Sequence, residues 1–270
     1  MTDENKNNEL WRMLLTGEAD VLVKYRRLFK VIPADNRCRA CLSPFNGVGG
    51  QVSRVIFRRV PSRVNPHFCS ACYTTMQENP GGAEVNMTLV FADIRGSTTL
   101  AEDMGTLAFS SLISRFYVAA THVFSESNAW IERLIGDQVI GLYLQSMAGP
   151  DHAAVAVRGA GELLRAVGYG SPDGAWLPLG IGVHTGTTFM GSVGSDTGLR
   201  DITVLGDAPN VAARLSSMAA AGEILISDAA SARAGLDVSA LEARTLNLKG
   251  RAEPIDVHVT RVDSPERSTA

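Results

Sequence analysis

Four cysteines in two equally spaced pairs, Cys38-Arg-Ala-Cys41 and Cys69-Ser-Ala-Cys72, constrain this chain more than any other feature. Each Cys-x-x-Cys presents two thiolates on one knuckle, and two knuckles close a tetrahedral shell with no open position. In a reducing compartment the pattern favours metal ligation over disulfides. A structural Zn²⁺ on Cys38, Cys41, Cys69 and Cys72 is the first expectation, with an iron–sulfur cluster or a redox pair as the alternative. The 27 residues between Cys41 and Cys69 exceed the usual ribbon spacing, so the ligand set is better specified than the local fold. His67 stands beside Cys69, but four thiolates leave it no place. The 38–72 segment is rich in Gly, Pro and Arg and has no long periodic apolar run, so its own burial is expected to be thin and a metal to supply the missing stability.

Charge divides the chain in the same place. The formal net charge is −3, but Lys24 to Arg63 contains ten basic residues against Asp35 alone, which makes that stretch +9 and the remainder −12. Two parts with different surroundings are expected. At 270 residues with 45% apolar content the chain has enough material for a real core, which excludes disordered and collagen-like classes. The start Met-Thr-Asp-Glu-Asn shows no basic stretch leading into an apolar one, and no apolar run approaches the roughly 18 residues of a membrane span. A soluble, cytoplasmic protein with no transmembrane segment is expected.

Apolar spacing places amphipathic helices over 8–30, broken at Gly17 and stopped by Pro33. Asn79-Pro80-Gly81-Gly82 reads as a linker, giving an N-terminal part over 1–82, a second domain over 83–263, and a tail over 264–270 expected to be disordered. Beyond the linker, strands are expected near 85–92, 129–135, 138–144, 177–185, 187–193, 201–205, 223–226, 244–249 and 255–261. Helices are expected over 107–124, 151–167 and 208–220. Hairpins mixed with helices point to an α+β architecture, helices packed on a mostly antiparallel sheet.

Asp93 ends the first strand of this domain, just before a helix start whose amides suit a polyphosphate. Asp137, in the Gly136-Asp137 hairpin turn, can be brought beside it. Paired carboxylates at a phosphate cradle are a common way to hold Mg²⁺, which takes few protein ligands and keeps its waters. Either aspartate alone reads more readily as an Asx-turn or cap residue; the pair is what points to chemistry. In the 208–220 helix, Asp207 is expected as N-cap, Val211, Leu215 and Met218 on the buried face, and Asn210 and Arg214, four apart, on a shared polar face. Taken alone, that pair reads as a solvated surface. Gly180-Ile-Gly182-Val-His-Thr-Gly186 has the wrong spacing and context for a dinucleotide loop, and the chain has no Walker A, His-Glu-x-x-His or Gly-x-Ser-x-Gly sequence.

In series, Phe91-Ala-Asp93-Ile-Arg-Gly-Ser-Thr98, Arg133-Leu-Ile-Gly-Asp137, Gly182-Val-His-Thr-Gly186, Leu205-Gly-Asp207-x-x-Asn210-Val-Ala-x-Arg214-Leu215 and Leu248-Lys-Gly250 resemble the class III nucleotidyl cyclase catalytic domain over about 85–262. The cysteine-bearing part looks, more loosely, like the segment that precedes such domains in some bacterial cyclases. The resemblance implies the ferredoxin-like cyclase fold and conversion of a nucleoside triphosphate to its 3′,5′-cyclic monophosphate and pyrophosphate. It further implies a head-to-tail homodimer with its active sites at the interface. By position, Asp93, Ile94 and Asp137 would hold two Mg²⁺ or Mn²⁺ ions, and Ile94, Gly96, Ser97 and Thr98 would bind the substrate. Asn210 would orient the ribose, Arg214 of the other protomer would neutralise transition-state charge, and Lys249 would contact the terminal phosphates.

The base is read in such enzymes at the positions of Arg133 and Thr203. Thr203 resembles a bacterial adenylyl variety, whereas Arg133 stands where adenylyl cyclases commonly have Lys and guanylyl cyclases Glu. Arg is no conservative replacement for Lys and also pairs well with guanine. Strand alternation is expected to turn Glu132 to the opposite face. ATP is the expected substrate, with GTP or mixed use as the alternative. A reading from another class is a metal-stapled nucleic-acid or anionic-membrane binding module joined to a pseudo-cyclase, motivated by the +9 stretch. Few aromatics and no recognition helix weigh against nucleic acid.

Overall fold

The computed structural model describes residues 3–34, 36–63, 68–194, 200–248, 251 and 253–262. His67, Lys249 and the 264–270 tail lie outside the described residues. The chain forms two compact units: 1–85 with 189–204, and 86–188 with 205–270.

The first unit begins with α1 (Asp3–Thr16) and α2 (Asp20–Lys30), separated at Gly17 as the spacing predicts. Trp11, Leu15, Leu22 and Phe29 carry the buried faces. Two helices in the cysteine-bearing stretch had no signal in the apolar pattern, α3 (Gly47–Phe57) and α4 (Ser70–Glu78). The buried residues of α3 are Gly49, Gly50 and Ser53, so the helix packs through close backbone approach and its apolar residues do not mark the buried face. A Cβ on Gly49 would lie 2.6 Å from Ile32 Cγ2, and one on Gly50 would lie 2.6 Å from the Phe45 carbonyl carbon. The Cys69 side chain caps α4 by accepting from the Cys72 N–H.

In the remainder, β1 (Gly81–Ile94) leads to α5 (Ser97–Met104) and α6 (Thr106–Glu126), then to the hairpin β2 (Trp130–Ile135) and β3 (Gln138–Tyr143). A short α7 (Gln145–Ala148), α8 (His152–Ala166), β4 (Leu179–Gly194), β5 (Arg200–Leu205) and α9 (Asp207–Met218) follow. The chain continues through β6 (Glu223–Ser227), α10 (Asp228–Ala234), β7 (Glu242–Leu246) and β8 (Ile255–Arg261). The strand order is β2-β3-β1-β4-β6-β8-β7, with β5 paired to β4. β4 pairs β6 in parallel, while the β1–β3, β2–β3, β6–β8 and β7–β8 pairs are antiparallel. The runs near 177–185 and 187–193 are one continuous strand, because Gly186 is accommodated within it.

Alternation along the strands sorts the core. Val90, Ala92 and Ile94 of β1 and Ile224 and Ile226 of β6 join Phe116, Ala120 and Phe124 of α6 and Leu163 and Leu164 of α8. Leu225 points the other way, to Val211 and Leu215 of α9 and to Val257 and Val259. The sheet is therefore covered on both faces at β6, which explains why all five of its residues are buried. By length and composition alone α6 is a weak candidate for a membrane span, and its Phe116, Ala120, Val123 and Phe124 lie in the core. Met218 does not share the buried face of α9; it is 45% exposed.

Candidate active site

The antiparallel register aligns Asp93 with Gln138, and the Ile94 N–H donates to the Asp137 carbonyl at 3.1 Å. Asp93 and Asp137 thus stand at one end of neighbouring strands, as their spacing predicts. The turn that carries Asp137 depends on Gly136, whose φ of +56° lies in the left-handed region. Tyr117 Oη on α6 donates to the Gly136 carbonyl at 2.8 Å, fixing the turn from below. Burial, and secondarily the Asp137 charge, raise the Tyr117 pKa.

A second left-handed glycine, Gly96, turns the chain into α5 and offers no capping side chain. The first-turn amides, from Ser97 and Thr98 onward, therefore remain for solvent or an anion. Ser97 Oγ donates to the Asp137 carboxylate, tying the cradle to the carboxylate pair, and Thr98 is exposed. The Ile94 side chain is buried in the core, so only its backbone can serve a ligand.

Sequence reasoning missed Arg95. Its guanidinium forms an ion pair with Asp93 and donates to the Ser217 carbonyl at 2.6 Å, while its backbone N–H donates to the Pro178 carbonyl at 2.8 Å. Burial lowers the Arg95 pKa and the nearby Asp137 charge opposes that shift. The only available sign was its place inside the Phe91 to Thr98 stretch, between Asp93 and Gly96. Two carboxylates at neighbouring strand ends, one of them accepting the charge of Arg95, fit a divalent cation site, since positive charge is what such an ion brings.

Asn210 and Arg214 stand one turn apart on α9, whose opposite face is buried through Ala208, Val211, Ala212 and Leu215. Asn210 is exposed and its Nδ2 donates to the Gly206 carbonyl at 3.0 Å, leaving the amide oxygen outward. Among the described residues no carboxylate pairs with Arg214, whereas Arg95, Arg244, Arg251 and Arg261 each hold one. Gly206, with φ +132°, occupies the N-cap expected for Asp207. Asp207 is the first helical residue instead and pairs with Arg251. The helix is held against β4 by Gly182, where a Cβ would lie 2.4 Å from the Ser216 nitrogen and 2.5 Å from the Ala212 oxygen. That approach explains the glycines of the Gly180 to Gly186 stretch better than any loop motif does.

Thr203 lies half-buried on β5, in the first unit. The Arg133 backbone lies on β2 opposite Ile140, and its side chain falls outside the described residues. Between Ile131 and Arg133 the register slips by one, so Glu132 sits at a β-bulge. A bulge interrupts strict alternation, which removes the physical ground for turning Glu132 away from the base-reading face.

In the first unit the four Sγ atoms of Cys38, Cys41, Cys69 and Cys72 all lie within 4.8 Å of one another. The Cys41 to Cys69 separation is 3.8 Å, matching the ~3.8 Å between ligands of a tetrahedron with bonds of about 2.3 Å. Arg59 Nη1 lies 3.5, 3.3 and 3.6 Å from the sulfurs of Cys41, Cys69 and Cys72, and its Cζ lies 4.2 Å from the centre of the Tyr25 ring. Sulfur hydrogen bonds, from Cys38 first, hold the Cys69 thiol below its ordinary pKa and push those of Cys41 and Cys72 above theirs. The convergence of the four sulfurs fits a single tetrahedral ion.

Residues 82–260 match the adenylate and guanylate cyclase catalytic domain. The chain belongs to that cyclase family. The cyclase is 31% identical over 136 residues to an adenylate cyclase of Anabaena cylindrica, covering 49% of this chain and 27% of the relative. It is 29% identical over 197 residues to adenylate cyclase 1 of Rhizobium meliloti, covering 68% and 29%. The chain thus spans less than a third of the length of these two relatives. Among solved structures it is similar to the guanylyl cyclase Cya2, with TM-score 0.59, 25% identity and coverage of 69% of this chain and 98% of that one. It is likewise similar to the adenylyl cyclase CyaB from P. aeruginosa, with TM-score 0.57, 27% identity and coverage of 68% and 97%.

Proposed function

We propose that the chain is a cytoplasmic adenylyl cyclase that converts ATP to 3′,5′-cyclic AMP and pyrophosphate as a homodimer, with residues 83–263 as its catalytic domain. The observation that carries this reading is the strand-end pairing of Asp93 and Asp137 beside the uncapped N-terminus of α5. Two Mg²⁺ or Mn²⁺ ions on Asp93, Asp137 and the Ile94 carbonyl would supply activation of the 3′-hydroxyl and charge neutralisation at the triphosphate. The α5 amides hold phosphate oxygens, with Lys249 at the terminal ones. The 3′-oxygen forms its bond to the α-phosphorus as the bond to the β-phosphate breaks, pyrophosphate leaves, and the hydroxyl proton passes to solvent. Asn210 orients the ribose, and Arg214, unpaired in its own unit, meets the charge developing at phosphorus in the partner protomer's site. Exposed Leu205 and Met218 flank these two residues, which suits a face covered by a second protomer. Thr203 and Arg133 contact the base, and the relatives named as adenylate cyclases support ATP.

A second reading, a guanylyl or mixed cyclase, rests on Arg133, whose guanidinium is a good bidentate partner for guanine, and on the register shift at Glu132, which leaves its face unset by strand alternation. In the first unit the single-ion sulfur spacing supports structural Zn²⁺ over a multi-iron cluster, which spreads its thiolates over separate irons. Incubating the purified chain with ATP or GTP and Mg²⁺ or Mn²⁺ and quantifying both cyclic products tests the reading. Cyclic AMP as main product is expected; cyclic GMP alone establishes the second reading, and no cyclic product with any pairing overturns both.

A further inference from the structure

The helix α3 is amphipathic the wrong way round. Its buried side is Gly49, Gly50 and Ser53, with Ser53 Oγ hydrogen-bonded to Ser43 Oγ. Its outward side carries Val48, Val52, Val55 and Ile56 at the i, i+4, i+7, i+8 spacing of one helix face. Val48 is 80% exposed, Val55 77% and Ile56 68%. The end of α2 extends this surface, for Ile32 abuts Gly49 and the Phe29 and Phe57 rings meet at 5.1 Å, while neighbouring Val31 is 79% exposed and Leu28 45%. Soluble proteins scatter exposed aliphatics singly; a contiguous set on two adjoining elements marks a surface that something covers.

The charges around it say what. Lys24, Arg27, Lys30, Arg54, Arg58 and Arg63 are all exposed, and among the described residues none of them is ion-paired to a carboxylate. The other arginines of the stretch are used internally: Arg26 donates to the Ala40 carbonyl, Arg37 to the Phe29 carbonyl, and Arg59 reaches the cysteine sulfurs. A second copy meeting this face would set like charges against like. Nucleic acid would find cations but only aliphatic side chains between them, with no ring for a base to stack on. We propose that this face docks on an anionic lipid bilayer, the valines and Ile56 entering the headgroup boundary while the six cations meet lipid phosphates and carboxylates. The first unit is then a peripheral membrane anchor, a property independent of the cyclase reading.

Co-sedimentation of the full chain with vesicles tests this. Binding is expected to vesicles of phosphatidylcholine with one third phosphatidylserine, not to phosphatidylcholine alone, and to weaken steeply with salt. The double variant Val55→Glu, Ile56→Glu is expected to reduce the partition coefficient by about tenfold or more. Its thermal melt and basal cyclase rate in solution are expected to stay unchanged. Arg54→Gln with Arg58→Gln is expected to weaken binding and flatten its salt dependence. Failure of the wild-type chain to bind anionic vesicles overturns the proposal, as does undiminished binding by the Val55, Ile56 variant. A change of oligomeric state in that variant without a change in vesicle binding would reassign the face to a protein partner and overturn it equally.

Discussion

Adding one methyl group at Gly182 should damage a site it does not touch. Its Cβ would stand 2.4 Å from the Ser216 nitrogen, 2.5 Å from the Ala212 oxygen and 2.8 Å from the Leu215 Cβ, two of them backbone atoms that no rotamer change can move. Restoring ordinary contact requires α9 to shift off β4 by about 1 Å, since close-packed interiors tolerate little overlap. The overpacking costs about 1–3 kcal/mol of stability, a melting shift of roughly 3–10 °C for a domain of this size. Because α9 carries Asn210 and Arg214, a displacement near 1 Å should lower the cyclisation rate about 10²-fold even where the protein stays folded. Initial rates of cyclic nucleotide formation at saturating substrate, beside thermal melts, measure both effects. Gly161→Ala on α8 is the matched control, its Cβ meeting only an Arg165 Nη1 at 3.5 Å, and should be neutral or slightly stabilising. A Gly182→Ala enzyme with wild-type rate would refute the claim that close approach at Gly182 sets the position of α9.

Replacing Cys69 with Ser should abolish stoichiometric Zn²⁺, read by elemental analysis, and cost several kcal/mol in the first unit, because the 38–72 segment has little apolar burial of its own. Acid should weaken the second unit. Burial lowers the His184 pKa to about 4, against the opposing attraction of Asp207. The unfolded chain therefore binds the extra proton first, and stability falls by about 3 kcal/mol as pH drops from 6.5 to 4, while buried His152 shifts the same way. Denaturant melts at intervals of pH check this, and His184→Gln should flatten the profile. Glu223, nearly buried and held by Arg244 at 2.8 Å and by Arg261, ties β6 to β7 and β8. Its change to Gln should cost about 1–3 kcal/mol, measurable as a lower denaturation midpoint. Glu132→Gln should leave the product unchanged if ATP is the substrate and should selectively lower cyclic GMP if the bulge turns Glu132 to the base.

The second unit was legible in sequence because large apolar residues recur there at clear periods, as in the Phe116, Ala120, Val123 and Phe124 stripe of α6. The carboxylate pair was equally legible, since a two-residue turn fixes the hairpin register that carries Asp137 to Asp93. What escaped was whatever depends on backbone approach or long-range pairing. The packing of α3 could not be read because glycines form its buried face while its valines and Ile56 face outward, and Gly206 rather than Asp207 stands at the N-cap of α9, the Asp207 carboxylate pairing with Arg251, distant in sequence. Arg95 looks like any exposed loop cation until the fold sets it against Asp93 and Ser217. The bulge at Glu132 is a tertiary adjustment with no local signature.

If the Asp93 and Asp137 end of one protomer works with Asn210 and Arg214 of another, two inactive variants should complement each other when mixed. Asp137→Ala and Arg214→Ala should each be nearly inactive alone. Random pairing in an equal mixture makes half of the dimers mixed, each with one site carrying both lesions and one carrying none, so activity should return to about a quarter of wild type. A mixture that gives no more than the sum of its parts, from variants shown to exchange subunits, would contradict the account.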